Sequence, residues 1–270
     1  MIEALRTMFT YEFMGYALLG ILLMMPLFSL LGTLVVGNGL SFFSDALGHS
    51  ALTGVGLGVL FGLTDPTPVM LVFAAAFALL MNAIRHSRLS ATDTVIGVFS
   101  SCGVALGLVL LSGGQYSNYQ VLLIGDILSI TPRGLWILGG ALLTVLIVWL
   151  CCFNGFLAVS VSPSLAKSRG LPVRWLDDLL VVIIAAAVML TIRFVGLLLL
   201  NAMLILPAAS ARNVAKGWRH YTVLTLVFSL FSGIWGLILS YLNAIPTGPS
   251  IVLVGAAVFF GTFLMGRKSR

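Results

Sequence analysis

Five long stretches of the chain contain no charged side chain: residues 13–44, 66–84, 94–125, 134–166 and 221–266. A helix that crosses a bilayer needs about 20 apolar residues, and lipid offers the backbone no hydrogen-bond partner, so such stretches predict helices. A transmembrane β-barrel would instead alternate polar and apolar residues over segments of about 10 residues. Only 8% of the 270 residues are charged, against about 25% in a soluble domain. The sequence therefore predicts an all-α, polytopic integral membrane protein.

Basic side chains gather in four clusters, and these clusters predict how the chain crosses the membrane. They are Arg85, His86 and Arg88; Lys167, Arg169 and Arg174; Arg212, Lys216, Arg219 and His220; and Arg267, Lys268 and Arg270. Two apolar segments separate each cluster from the next, so all four fit on the cytoplasmic side, where basic loops are favoured. Three segments precede the first cluster, which puts the N-terminus outside unless one of them does not cross fully.

The resulting expectation is eight or nine transmembrane helices in a single transmembrane domain, residues 1–270. The stretch 194–211 includes a short or broken helix, because Pro207 removes a backbone hydrogen bond and Asn201 is polar. Broken helices often line the route through transporters, so we expect Asn201 and Pro207 to line a pathway or to form a hinge. A simple kink explains the same two residues.

Asp45 and His49 interrupt an otherwise apolar stretch, and their spacing of four places both on one face of a helix. A carboxylate at mid-membrane costs about 2.5–3.5 kcal/mol, so such a residue usually faces a cavity or marks a pathway. Carboxylate and imidazole together are suitable ligands for zinc, manganese or ferrous iron. Two ligands are too few for a tight site, and a two-fold dimer would supply four. The alternative is a buried Asp–His hydrogen bond that only holds two helices together.

The segment 162–172 is a short, basic piece between two apolar segments, and Pro163 and Pro172 bound it. It is either a solvated loop or a docking helix on the cytoplasmic side. In the second case Ala166 and Gly170 would leave a smooth face for the cleft of a partner.

The sequence lacks the motifs of nucleotide binding and of the common hydrolases. It contains no GxxxxGK(S/T), no HExxH and no GxSxG. We therefore expect no enzyme activity, and energy for transport that comes from another chain or from an ion gradient. Cys102, Cys151 and Cys152 give neither a disulfide framework nor a metal signature. The net charge of +6 is a topology signal, and no nucleic-acid partner is expected.

Six motifs in the same order along nearly the whole chain resemble those of the permease subunits of bacterial ABC importers for zinc, manganese and iron. They are Ser-Phe-x-x-Asp-x-x-x-His at 41–49, Asp-x-x-Ile-Gly at 93–97, Leu-x-Gly-Asp-Ile-Leu-x-x-Thr at 123–131, Ala-x-x-x-Gly-Leu-Pro at 166–172, Phe-Val-Gly followed by Leu-x-x-Pro-Ala-x-x-Ala-Arg at 194–212, and Thr-Gly-Pro-Ser at 247–250. One departure is Gly37-Asn38-Gly39, where many members of that family have basic residues.

This resemblance implies a multi-pass protein of the bacterial inner membrane that acts as a homodimer. Two ATP-binding subunits on the cytoplasmic face and an extracytoplasmic metal-binding protein are the implied partners. Asp45 and His49 are implied to contact the transported ion along its pathway. The residues implied to dock on the ATP-binding subunits are Leu165, Ala166, Gly170, Leu171 and Pro172.

The expected function is import of a divalent transition metal by alternating access, with ATP hydrolysis on a separate chain. Zn²⁺ is the first candidate because of the overall resemblance, Mn²⁺ is the next, and Fe²⁺ is also compatible. No permanently bound cofactor is expected. The residues leave two alternatives open: an ion-coupled secondary transporter, and an ABC permease for an organic or metal-chelate substrate.

Overall fold

The computed structural model describes residues 11–63, 65–86, 92–112 and 125–268. These residues form ten α-helices and one 3-10 turn, with no strand among them. The helices are α1 Glu12–Gly37, α2 Ser41–Leu60, α3 Thr67–His86, α4 Thr92–Leu111, α5 Pro132–Val161, α6 Pro163–Ser168, α7 Val173–Val195, α8 Leu197–Val214, α9 Trp218–Asn243 and α10 Thr247–Lys268, and the 3-10 turn is Ile127–Ser129. Arg88, Arg270 and residues 123 and 124, the first two of the 123–131 motif, lie outside the described residues.

The polytopic all-α prediction is confirmed, and each of the nine apolar segments corresponds to one long helix in the described chain. Seven of these helices are long and apolar enough to cross a membrane; α2 and α8 are the other two. Asn201 and Pro207 predict a short or broken helix in the stretch 194–211; that stretch holds most of the 18-residue helix α8, which starts after Gly196 (φ +84°) and is not broken at either residue. Pro207 lies inside α8, which continues through it to Val214.

The ends of several helices meet on one side of the molecule, which we call the basic face. Arg212 Nη1 donates to the carbonyl oxygen of Val36 (3.1 Å), so α1 and α8 both end there. Arg85, in the last turn of α3, pairs with Asp177 in the first turns of α7. The end of α10 packs against the end of α8. This arrangement agrees with the common side that the four basic clusters predict. Helix α1 therefore ends at the basic face, and α2 begins near that face and leads away from it.

Helix α2 is packed among other helices, and glycine makes its closest contact possible. It contacts α3, α4, α7 and α8. A Cβ atom on Gly107 of α4 would lie 2.7 Å from the backbone nitrogen of Thr53 and 2.6 Å from Cβ of Leu52. One turn away, the Thr53 hydroxyl donates to the carbonyl oxygen of Gly103. The two backbones therefore touch, and a side chain at position 107 would separate them.

We expect Gly107→Ala to destabilise the protein by about 1–3 kcal/mol, because the added methyl group overpacks the contact between α2 and α4. Gly97→Ala, on the same helix, is the matched control, since a Cβ there meets no atom within 4 Å. It should be neutral or should stabilise by at most about 1 kcal/mol, the difference in helix propensity. Unfolding of the purified variants in detergent measures both effects, and equal stabilities would contradict this account of the packing.

Candidate functional site

Asp45 and His49 lie one turn apart on α2, and their side chains point away from the packed core. The Asp45 Oδ2 and His49 Nε2 atoms are 3.6 Å apart, and the side chains are 45% and 33% exposed. The residues around them on the same helix are buried: Phe43, Ser44, Ala46, Leu47, Gly48 and Ser50. The prediction that both side chains share one helix face is confirmed. A carboxylate and an imidazole therefore form a polar patch on a helix whose other residues between 43 and 50 are buried.

Asn201 of α8 holds the carboxylate of Asp45 from one side. Its Nδ2 atom donates to Asp45 Oδ1 (3.3 Å), and its Oδ1 atom accepts a hydrogen bond from the Ser44 hydroxyl (2.7 Å). Ser44 is fully buried, so this hydrogen bond is shielded from competing water. The carboxylate oxygen of Asp45 is an acceptor, so it takes the NH2 end of the Asn201 amide and leaves the amide oxygen for Ser44, whose hydroxyl also lies 2.8 Å from the carbonyl oxygen of Ser41. The structure thus brings together two residues that the sequence analysis singled out separately, and it adds Ser44, which that analysis did not single out.

The alternative in which Asp45 and His49 form a buried bond between two helices does not fit this geometry. Both residues belong to α2, and each is at least one-third exposed. Among the described residues, no group of three or more His, Cys, Asp or Glu side chains could hold a metal ion. One chain therefore offers two such ligands at this place, whereas a closed zinc site takes four.

The segment 162–172 contains the predicted short helix, now seen as α6. The Ser162 hydroxyl accepts from the backbone N–H of Leu165 (3.4 Å), and Pro163 occupies the first turn. Gly170 has φ +76° and allows the chain to turn, and the N–H of Leu171 then donates to the carbonyl oxygen of Ala166 (3.2 Å). Pro172 directly precedes the first residue of α7. The segment is thus a structured extension of α7 and not an irregular loop.

Residues of this segment differ in what they can offer a partner. Leu165 is 51% exposed, and Gly170 and Pro172 are exposed as well. Ala166 is only 1% exposed. Contrary to the sequence-based expectation, Ala166 does not form part of a smooth outer face, because α6 turns its methyl group toward the chain's own helices. Of the five residues that the resemblance implies in docking, Leu165, Gly170 and Pro172 are exposed, Leu171 is half-buried and Ala166 is buried.

The other predicted residues lie away from Asp45. Pro207 is buried in α8, about 9 Å further along the helix axis than Asn201 by its rise per residue. Asp126 caps the 3-10 turn through the N–H of Leu128 (3.0 Å), and Thr131 caps α5 through the N–H of Gly134 (3.3 Å). These two motif residues therefore stabilise local structure. The side chain of Asp93, in another of the motifs, lies outside the described part of the chain.

Asp65, in the connection between α2 and α3, is a carboxylate with a different environment. It accepts hydrogen bonds from the Thr67 hydroxyl (2.6 Å) and the Thr67 N–H (3.0 Å), and Arg193 lies 3.9 Å away. The Thr67 hydrogen bonds, helped by the charge of Arg193, lower the pKa of Asp65 below its ordinary value. Asp65 is therefore a charged aspartate away from α2, which makes it a suitable control for Asp45.

Sequence reasoning missed a second polar cluster, which joins the end of α3 to the start of α7. Arg85 Nη2 and His86 Nε2 lie 2.8 and 3.0 Å from Asp177 Oδ2, and Asn82 Nδ2 donates to Asp178 Oδ1 (2.7 Å). The available signal was a pair of acidic residues at the start of one apolar segment and a pair of basic residues at the end of another. Such charges at the edge of a membrane need partners.

Residues 10–266 match the family model of the ABC 3 transport family. The high-affinity zinc uptake system membrane protein ZnuB of Haemophilus influenzae is 32% identical over 233 residues, which cover 85% of this chain and 88% of that protein. The manganese import system permease protein ScaB of Streptococcus gordonii is 28% identical over 269 residues, which cover 99% of this chain and 96% of that protein.

A solved structure is similar as well. PsaBC from Streptococcus pneumoniae in complex with Fab superposes with a TM-score of 0.87 and 29% sequence identity, covering 97% of this chain and 95% of that chain. The likeness therefore extends over the whole helical arrangement, including α2 and α8.

The contact between Ser44 and Asn201 can be tested by a double-mutant cycle. Removing either partner leaves a buried polar group without that hydrogen bond, so Ser44→Ala and Asn201→Ala should show a coupling energy of about 1 kcal/mol in unfolding experiments. Ser50→Ala is the matched control, because Ser50 is buried on the same helix and bonds to its own helix at the carbonyl oxygen of Leu47 (2.8 Å). Its effect should add to that of Asn201→Ala. Additivity for Ser44 would mean that the α2–α8 hydrogen bond contributes nothing.

Proposed function

The chain belongs to the ABC 3 transport family, and from this premise we propose that it is the membrane-spanning permease subunit of an ATP-driven importer for a divalent transition metal. Zinc is the first candidate and manganese the second. The observation that carries the proposal is the half-exposed pair of Asp45 and His49 on the enclosed helix α2. A carboxylate in an apolar helix bundle is costly, and passage of a cation gives that charge a use.

The two side chains suit an ion that passes and does not stay. One chain brings a carboxylate and an imidazole, and a second copy related by a two-fold axis would complete a set of four ligands. Contact with few ligands holds an ion loosely, whereas a complete, rigid set would trap it. Asn201 supports this role, because its hydrogen bond to Asp45 Oδ1 orients the carboxylate and leaves Oδ2 on the side of His49. We therefore propose a homodimer, with the pairs of both copies along one pathway.

The identity of the metal depends on more than this pair. Asp and His are compatible with Zn²⁺, Mn²⁺ and Fe²⁺, and availability often decides which ion a site meets. The Haemophilus influenzae relative is named for zinc uptake and the Streptococcus gordonii relative for manganese import. The 32% identity to the former and the overall resemblance favour zinc as the first ion to test.

The energy for transport would come from other chains. The sequence has no P-loop, so ATP hydrolysis is assigned to separate subunits that dock on the basic face. The exposed part of α6 and the turn to α7 supply the docking surface, with Leu165 as its most prominent apolar side chain. An extracytoplasmic metal-binding protein would deliver the ion on the opposite side. A rigid connection between α6 and α7 suits the transmission of a movement from that surface into the membrane.

Whole-cell accumulation of zinc, manganese and iron tests the proposal, with this chain co-expressed with its ATPase and binding protein. We expect one metal to accumulate with the wild type and to be lost with an ATPase-dead partner. Asp45→Ala and His49→Ala should each lower accumulation by about tenfold or more, which is a loss of ~1.4 kcal/mol. Asp65→Ala and His220→Ala remove the same residue types elsewhere and should accumulate metal as the wild type does.

Each alternative predicts a different result. Accumulation that ignores the ATPase would favour an ion-coupled secondary transporter. Assembly of the complex without accumulation of any metal would direct the search to organic or metal-chelate substrates. Unchanged uptake in both α2 variants would exclude Asp45 and His49 from the pathway even if ATP dependence holds.

A further inference from the structure

Ion pairs to Asp177 and a hydrogen bond to Asp178 join the end of α3 to the start of α7. Asp177 is only 8% exposed, and its Oδ2 atom is held by both Arg85 (2.8 Å) and His86 (3.0 Å). The neighbouring Asp178 accepts a hydrogen bond from Asn82 (2.7 Å). Burying charges costs nearly as much as their pairing returns, so a cluster of this kind adds little stability over apolar packing. The cluster does favour one arrangement of the two helix ends, because the ion pair forms only when Arg85 and Asp177 are in contact.

The cluster lies close to the proposed docking surface along the chain. Asp177 follows Pro172 by five positions, and α7 begins directly after Pro172, at Val173. Backbone hydrogen bonds run through the connection, from the N–H of Leu171 to Ala166 and from the N–H of Val173 to the carbonyl oxygen of Leu171 (2.9 Å). These bonds join α6 to the first turn of α7, the helix that carries Asp177.

Arg85 also reaches the helix that carries the proposed metal ligands. Its guanidinium carbon lies 6.0 Å from the centroid of the Phe43 ring, within the range of a cation–π interaction. Phe43 is fully buried on α2. It directly precedes Ser44, which bonds to Asn201, and stands two residues before Asp45. Arg85 thus contacts α7 through its ion pair and α2 through the aromatic ring.

We propose that Arg85 and Asp177 are positioning residues that couple the docking segment to the metal pathway. In this role they make the end of α3 and the start of α7 move together, and Phe43 passes that movement to α2 and so to Asp45 and His49. The inference rests on the proposed transport function, since it needs an ATP-driven movement at α6. It extends that function by naming the contacts through which the movement would travel.

The test compares metal uptake with ATP hydrolysis in the same proteoliposomes, which contain the complete complex and the binding protein. We expect Asp177→Asn and Arg85→Gln to lower the amount of metal taken up per ATP hydrolysed by about tenfold, within the range of measured coupling between sites. Hydrolysis itself should stay near the wild-type rate. Exchanging the charges in Arg85→Asp with Asp177→Arg should restore part of the ratio. Arg219→Gln removes an exposed cation from the same face and should leave the ratio unchanged.

Phe43→Leu keeps the inference testable if a variant of the buried ion pair does not assemble. It leaves Arg85 and Asp177 intact and removes the aromatic contact with α2, at the cost of some packing volume at this buried position, so it too should lower the ratio. If uptake and hydrolysis fall in proportion in these variants, the cluster has only a structural role and the coupling inference is overturned. Wild-type uptake that persists with an ATPase-dead partner would overturn the transport proposal itself, which is a distinguishable result.

Discussion

The lack of hydrogen-bond partners for the backbone in lipid is the constraint on which the rest of this structure depends. It forces the described chain into helices, and it extends to side chains, since hydroxyl groups in these helices bond back to carbonyl oxygens of their own helix. Examples are Thr33, Ser50, Thr191, Ser210 and Thr225. Ionisable groups have no such local solution. They are either paired across helices, as Asp177 is with Arg85, or left half-exposed, as Asp45 and His49 are.

The position of α2 explains how it can carry ionisable residues. It is not among the seven helices that are apolar enough to span a membrane by composition, and α3, α4, α7 and α8 surround it. A helix enclosed by protein does not need lipid-like side chains. Small residues serve it better, because they let neighbouring backbones approach, as Gly54 of α2 does toward Met70 of α3. Low hydropathy and close packing of α2 are therefore two consequences of the same enclosure.

The same physics determines how far the sequence could predict this protein. Apolar length alone located all nine long helices, and the spacing of Asp45 and His49 placed them on one face. In a membrane, however, the lipid-facing and the protein-facing sides of a helix are both apolar, so periodicity does not reveal which side packs. For that reason the sequence analysis did not pair Asn201 with Asp45, which lies 156 positions away. It turned Ala166 outward for a different reason, since α6 has only six residues and is too short for its sequence to show which side packs.

Two interactions from other helices reach α2: the hydrogen bond from Asn201 to Asp45 and the contact of Arg85 with Phe43. The hydrogen bond from Asn201 of α8 orients the Asp45 carboxylate, whereas the ion pair of Arg85 and Asp177 joins α3 to α7. Loose coordination of an ion is useful to a permease only if the ligands can change their mutual geometry during a cycle. On the proposed mechanism Asn201 supplies the resting orientation and the contact of Arg85 with Phe43 supplies the displacement. The orientation of an ion ligand and the coupling to energy then converge within three residues of one helix.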